Sequence, residues 1–279
     1  MSNCVVIKYV RDLGKIYLGV RRLNRRIDLN CDMGESFGAY KIGLDEEAIK
    51  YISSANIACG YHAGDPLVMA GTVDMALEYG VGIGAHPGYP DLMGFGRRKM
   101  EVTPAEMKNY FIYQIGSLQA FAQSRGARLQ HVKPHGALYN AAAVDKELAM
   151  ALAEAIYALD HNLIFMVLAN SEMERAAREV GLKYAREIFV DRHYNSDGTL
   201  VSRSHPDSVI KDSHEAAKRL VEIITSGQIK ALDGNCFPVE ADSVCVHGDT
   251  PGAIQHMINL RRALEEAGVK VVPMGEFIK

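Results

Sequence analysis

Several functional classes are excluded by what the chain lacks. Across 279 residues no apolar run approaches the roughly 18 that a membrane-spanning helix needs, so no membrane partner is expected. Net charge is only −3, which favours neither nucleic acid nor an anionic lipid surface. The five cysteines, Cys4, Cys31, Cys59, Cys236 and Cys245, are odd in number and show no CxxC spacing. Three of them sit in apolar strand-like runs, so they read as reduced core thiols of a cytoplasmic protein. HExxH and GxSxG are absent, residues 14–16 are not a P-loop, and Gly82, Gly84 and Gly88 do not give GxGxxG. A nucleotide, if used, is not held in either of those ways.

Charge is unevenly distributed. Residues 1–26 hold seven cations, Lys8, Arg11, Lys15, Arg21, Arg22, Arg25 and Arg26, against Asp12 alone, a balance of +6 that leaves −9 for the remainder. No long uncharged apolar stretch followed by a small-residue cleavage site marks a secretory signal. The segment is expected to be a basic extension outside the fold, with residues 27–279 forming one domain. A chain trimmed to begin at Ile27 is therefore expected to keep its stability.

The stretch 27–38, IDLNCDMGESFG, organises the rest of the chain. Ile27, Leu29 and Cys31 alternate with Asp28, Asn30 and Asp32, and a period of two puts each set on its own face of a strand. Asp28 reads as a buried structural acid, whereas Asp32 and Glu35 belong to the strand tip. The pattern of apolar strand and polar tip recurs, with strands expected at 55–59, 81–85, 128–132, 163–168, 187–190, 243–246 and 270–273. Between them, helices are expected at 45–53, 67–79, 104–124, 145–159, from the Ser171 to Glu174 capping box, at 213–226, and from Thr250-Pro251 to 267. Seven or eight strand-then-helix units imply parallel strands, and the expected fold is α/β, a closed parallel barrel.

In such a barrel every strand's C-terminal end opens on one face. Those ends carry Asp32 and Glu35, His62, His86, Lys133 and His135, Asp191 and Arg192, and His247 with Asp249. One histidine alone would be an ordinary loop residue, but polar tips on six strands mark an active site. Two chemistries are compatible with these groups. Asp32, His62 and His86 could bind Zn²⁺, Mn²⁺ or Fe²⁺. Alternatively the set is metal-free, with a carboxylate and an imidazole moving protons while Lys133 or Arg192 holds a substrate carboxylate. Lys133 is expected to supply fixed positive charge, His135 to move a proton, and Asn30 and Arg192 to contact substrate.

Five ordered blocks, DLNCDMGESFG (28–38), ANIACGYHAGDP (55–66), GVGIGAHPGYPDLMGFGRR (80–98), VKPHGALYN (132–140) and CVHGDTPGA (245–253), resemble the signature of the LamB/YcsF family, 5-oxoprolinase A subunits. The resemblance covers residues 27–279. It implies a (β/α)7-type barrel similar to the glycoside hydrolase/deacetylase superfamily. It also implies ATP-dependent opening of the 5-oxoproline lactam to L-glutamate, with ATP as co-substrate handled together with partner subunits B and C. Whether a divalent metal takes part stays open at this point. Two other readings compete: a metal-dependent deacetylase acting on a sugar or other amide, and a non-catalytic subunit that presents the lactam. The density of acids and histidines at the rim argues against the last, since binding one small acid needs only two or three polar groups.

Overall fold

The computed structural model describes residues 25–202, 204–210, 212–246 and 252–279. In chain order the first half comprises β1 (Arg26–Met33), α1 (Asp45–Ala48), β2 (Ser54–Ala58), α2 (Pro66–Tyr79), β3 (Gly82–His86), α3 (Pro104–Gln123), β4 (His131–Val132) and α4 (Gly136–Ala142). The second half comprises α5 (Lys146–Leu159), β5 (Ile164–Leu168), α6 (Glu172–Val180), β6 (Lys183–Phe189), α7 (Ser213–Ser226), β7 (Gln228–Lys230), β8 (Cys236–Pro238), β9 (Ser243–Val246), α8 (Ala253–Glu266) and β10 (Lys270–Val271). The parallel strands β1, β2, β3, β4, β5, β6 and β9 are neighbours in that order, and β9 pairs back onto β1 to close a seven-stranded barrel. The α/β barrel read from the sequence is the fold observed. No helix among the described residues is long and apolar enough to cross a membrane.

Local chemistry accounts for several helix starts. Asp65 accepts the Leu67 and Val68 amides ahead of Pro66, and Thr103 with Glu106 closes the expected capping box on α3. At α6 the expected box does not form: the Glu174 carboxylate accepts the Asn170 amide, and Ser171 makes no side-chain cap. Helix α1 and strand β4 are shorter than expected, β6 starts at Lys183, and α4 and the antiparallel β7–β8 hairpin are additions to the expected elements. The Thr250-Pro251 cap lies outside the described residues.

The alternation in β1 sorts residues between two cores. Leu29, Cys31 and Met33 join Ile57, Ile83 and Val132 in the apolar layer between barrel and helices. The polar face points inward, because the register sets Asp28 beside Ser243, Asn30 beside Ser54 and Cys245, and Asp32 beside Asn56. The barrel interior is thus polar along β1, β2 and β9, with a small apolar cluster of Ile164, Met166 and Ala185 covered by Met274 on the β5–β6 side. Gly84 makes room for this arrangement, since a Cβ there would collide with the His131 ring. His131 in turn fills the space and reaches Asn56 at 2.7 Å.

Every one of these interior groups has partners, as burial demands. Asp28 accepts from the hydroxyls of Ser53, Ser54 and Ser243. Burial nonetheless pushes its carboxyl up to about 6, the three hydroxyls opposing the shift and Glu187 adding to it.

The edge of the barrel falls earlier than the sequence suggested. Arg26 opens β1 and pairs with Lys270, so the extension cannot include it. The Arg25 carbonyl accepts the Lys270 amide at 2.9 Å, its guanidinium donates to Ile224 O at 2.7 Å, and Arg26 donates to Glu276 O at 3.0 Å. Residues 1–24 lie outside the described residues. A chain beginning at Ile27 is accordingly expected to be less stable than one beginning at Arg25 by about 1–3 kcal/mol, from two or three lost hydrogen bonds. Denaturant titration of the two truncations measures the difference, and equal midpoints would contradict it.

Asp28 generates a pH prediction. Its folded carboxyl titrates near 6 against 3.8 as the ordinary value, so the native state holds the proton longer than the unfolded chain does. The stability that Asp28 contributes is full below about pH 4, falls as pH rises to about 6, and is constant above. The advantage of wild type over Asp28→Asn should therefore shrink by about 3 kcal/mol between pH 3 and pH 7. Urea unfolding at four pH values reads it, and a pH-independent difference would contradict the assignment.

Candidate active site

The site grows out of the polar interior. At the upper end of the barrel the Lys133 ammonium lies 3.0 Å from Asp32 Oδ1, 2.9 Å from Glu187 Oε1, 3.2 Å from Asn30 Oδ1 and 3.3 Å from Cys245 Sγ. Burial by itself would lower the Lys133 pKa, but Asp32, Cys245 and Glu187 override it and hold the amine well above its usual value. The lysine is a fixed cation. Glu187 is shared further: Asn30 Nδ2 donates to one oxygen at 2.9 Å and the Tyr139 hydroxyl to the other at 2.6 Å. Burial and the Glu187 charge both push the Tyr139 phenol well above its usual range, so it remains a donor.

Above this floor stand three imidazoles and a carboxylate. Glu35, His62, His86 and His135 each offer a ligand atom, all within 4.8 Å of one another, and all four residues are buried. His62 stacks on His135 with ring centroids 3.6 Å apart and planes at 5°. His86 stands edge-on to both. Glu35 Oε1 lies 3.4 Å from His62 Nε2 and 3.6 Å from His135 Nδ1. Burial, then the neighbouring rings, drives His62 well below its usual pKa, and burial takes His135 down to about 3. Both rings are neutral at physiological pH and suited to giving lone pairs.

The donor set can be tested against a metal. Neither ring nitrogen of His62 has a hydrogen bond among the described residues, although both are buried. The spacings of 3.4 and 3.6 Å from Glu35 are close to the about 3.3–3.4 Å that separates ligands of a tetrahedral ion with bonds near 2.0–2.1 Å. The residues fit a divalent ion of the zinc or iron kind.

A cavity of about 900 Å³ opens over the cluster, and Asp32, Glu35, His86, Lys133, His135 and Arg192 are among its lining residues. Asp32, with its side chain 19% exposed, bridges the two layers: one oxygen meets Lys133 and the other lies 3.3 Å from His86 Nε2. The structure thus brings Asp32, Glu35, His62, His86, Lys133 and His135 together.

Other expected residues fall elsewhere or do other work. Asn30 is fully buried below the cavity, its amide occupied by Glu187, Ser243, Asn56 and Lys133, which places it in the scaffold rather than against a substrate. Arg192 donates to the carbonyls of Ser208 and Val201, tying both to the chain just after β6, and it also lines the cavity. Asp191 follows β6 and its carbonyl accepts the Ile210 amide at 2.7 Å. His247 and Asp249 lie outside the described residues. His135, expected to move a proton, stands within the cluster, and burial keeps its ring neutral.

Glu187, Tyr139 and Phe95 are site residues that sequence reasoning missed. Glu187 carried a usable signal, since it shares its parity with Phe189 in β6 and with Asp191 just beyond it, the parity that marks the inward face. Phe95 carried none: its backbone carbonyl lies 2.8 Å from His135 Nε2, and its ring stands edge-on to His62 and His135.

The LamB/YcsF family model matches residues 27–279. Among curated relatives, the 5-oxoprolinase A subunit of Pyrococcus abyssi is 56% identical over 253 residues, covering 91% of this chain and 99% of the relative. The protein of that name from Campylobacter jejuni is 49% identical over 91% of this chain and 99% of its own length. Among solved structures, the lactam utilization protein of Thermus thermophilus superposes with a TM-score of 0.84 at 46% identity, over 88% of this chain and 99% of that one. A putative cellobiose-phosphate cleavage protein of Enterococcus faecalis shares the fold, with a TM-score of 0.56 at 13% identity over 92% of this chain and the whole of that one.

Proposed function

This chain belongs to the LamB/YcsF family, and from that premise we propose that it is the A subunit of an ATP-dependent 5-oxoprolinase. It would open the lactam of 5-oxoproline to L-glutamate in the cytoplasm, together with B and C subunits. The observation that carries the reading is the convergence of Glu35, His62, His86 and His135 beside the Lys133–Asp32 pair at the floor of one cavity. Amide opening needs such groups, because charge develops on the carbonyl oxygen while the ring nitrogen needs a proton.

A five-membered lactam gains little on opening, so the reaction calls for coupling. Transfer of the γ-phosphoryl group of ATP to the carbonyl oxygen would weaken the amide and make its carbon a better electrophile. In total, one water opens the ring and a second ends in the phosphate. The absent P-loop agrees with partner subunits handling the nucleotide.

Lys133 supplies fixed positive charge where the carbonyl oxygen or its phosphoryl group would lie, and Asp32 takes a proton from the incoming water. Glu187 and Asn30 hold Lys133 in place from beneath. Glu35, His62, His86 and His135 would hold a divalent ion, which when bound supplies Lewis-acid polarisation of an oxygen.

The test is release of glutamate from 5-oxoproline with ATP, by this chain alone and with the B and C subunits. Turnover by the assembled complex is expected, with Asp32→Asn lowering it by about 10²–10⁴-fold and leaving the fold intact. Wild-type turnover by the Asp32→Asn complex would remove Asp32 from the chemistry and favour a lactam-presenting role. The imidazole cluster would also suit a deacetylase, and release of acetate from N-acetyl sugars without ATP would establish that reading instead.

A further inference from the structure

The hydrogen bonds around His86 and His135 set two acceptors against each other. His86 Nδ1 lies 2.8 Å from the Lys133 carbonyl, and His135 Nε2 lies 2.8 Å from the Phe95 carbonyl. A carbonyl has no proton to give, so each of these nitrogens carries the hydrogen. With the hydrogens placed there, the other nitrogen of each ring is the one that offers a lone pair. Those two nitrogens, His135 Nδ1 and His86 Nε2, face one another at 3.0 Å in buried surroundings. Two lone pairs at that distance repel unless an electrophile binds both.

We propose that the backbone carbonyls of Lys133 and Phe95 preset His86 and His135 as a two-nitrogen clamp for one divalent transition-metal ion, with His62 and Glu35 as further donors. A 3.0 Å separation, like the 3.4 and 3.6 Å spacings from Glu35, is within the span that two donors bonded to one ion at about 2.0–2.1 Å can bridge. A donor set of three imidazoles and one carboxylate selects Zn²⁺, Fe²⁺ or Mn²⁺ over Mg²⁺ and Ca²⁺, which prefer oxygen. Asp32, expected from the sequence as a ligand, is drawn instead to Lys133 and stands beside the clamp.

The loop carrying Phe95 is built to aim its carbonyl. Phe95 has φ +54° and Gly96 φ +61°, backbone that L side chains rarely adopt. The Asp91 carboxylate ties the loop by accepting the Gly94 and Arg98 amides and the Arg98 guanidinium. A Cβ on Gly96 would lie 2.7 Å from His135 Cδ2 and 2.8 Å from His62 Cβ, so only glycine lets the loop come this close. Phe95 is a positioning residue: it acts on the ion through His135.

The clamp stands on these contacts and not on the identity of the substrate, so it is tested without 5-oxoproline or ATP. The full chain is stripped with chelator, offered Zn²⁺, Mn²⁺, Co²⁺ or anaerobic Fe²⁺, desalted, and assayed for metal by mass spectrometry. About one ion per chain is expected, with visible absorption bands for the cobalt form. His86→Asn and His135→Asn should each abolish retention, and Gly96→Ala should weaken affinity by about 10–100-fold, the usual effect of disturbing an outer partner. Histidine ¹⁵N spectra of the unmutated apo chain should show protons on His86 Nδ1 and His135 Nε2. Less than a tenth of an ion per chain with every metal, retention unchanged in both asparagine variants, or a proton shared between His135 Nδ1 and His86 Nε2 after metal is offered would each overturn the proposal.

Discussion

The Lys133 ammonium, held between Asp32 and Glu187 inside a parallel barrel, is the interaction on which the rest of the structure depends. Carboxylates carried into a closed interior lose their hydration, and two of them in one space repel. A single cation between them offsets both costs. The lysine is itself stabilised as a cation by that company, against a burial effect that would lower its pKa. Asn30, Tyr139 and Cys245 fill the remaining positions around the three charges. A buried ion pair of this kind is weak evidence for net stability over an apolar core, but losing one member of it is costly.

Lys133 also connects the interior to the rim. Its side chain fixes Asp32 and Glu187, while its backbone carbonyl accepts from His86 Nδ1 and so decides which nitrogen of that ring faces the other imidazoles. One residue thereby sets the charge below the cavity and the orientation of a ring at its floor. Asp32 repeats the connection from the other side, with one oxygen on the lysine and one near His86. The chemistry proposed for the site follows from this sharing. A fixed cation, a partly exposed carboxylate and a set of imidazoles meet within one pocket because the strands that carry them are locked together from beneath.

Much of this was legible in the sequence. The alternation of residues 27–33 announced two faces, and the recurrence of strand, tip and helix announced a parallel barrel. Polar tips on successive strands located the rim, and Asp32, Glu35, His62, His86, Lys133 and His135 do meet there. Other features carried no local signal. Period two says that a strand has two faces but not which one meets water, so the polar face of β1 could have been solvated; closure by β9 turns it inward. Asn30 looked available to a substrate, yet tertiary partners occupy it, whereas Arg192 combines two carbonyl partners with a place in the cavity lining. The short helix α4 begins at a glycine and has no side-chain cap, leaving little to read. The Ser171 box failed because the Asn170 amide competed for Glu174. Phe95 acts through a main-chain oxygen aimed by neighbouring glycines, a role that side-chain chemistry does not reveal.

The dependence on Lys133 is open to direct measurement by urea unfolding of Lys133→Met. This substitution keeps the volume of the side chain and removes its charge, leaving Asp32 and Glu187 to face each other. We expect a loss of about 3–5 kcal/mol, the usual cost of stripping one partner from a buried pair, and recovery of most of it when Asp32→Asn and Glu187→Gln are added. A Lys133→Met protein as stable as wild type would contradict the account, because the acids inside the barrel would then need no cation.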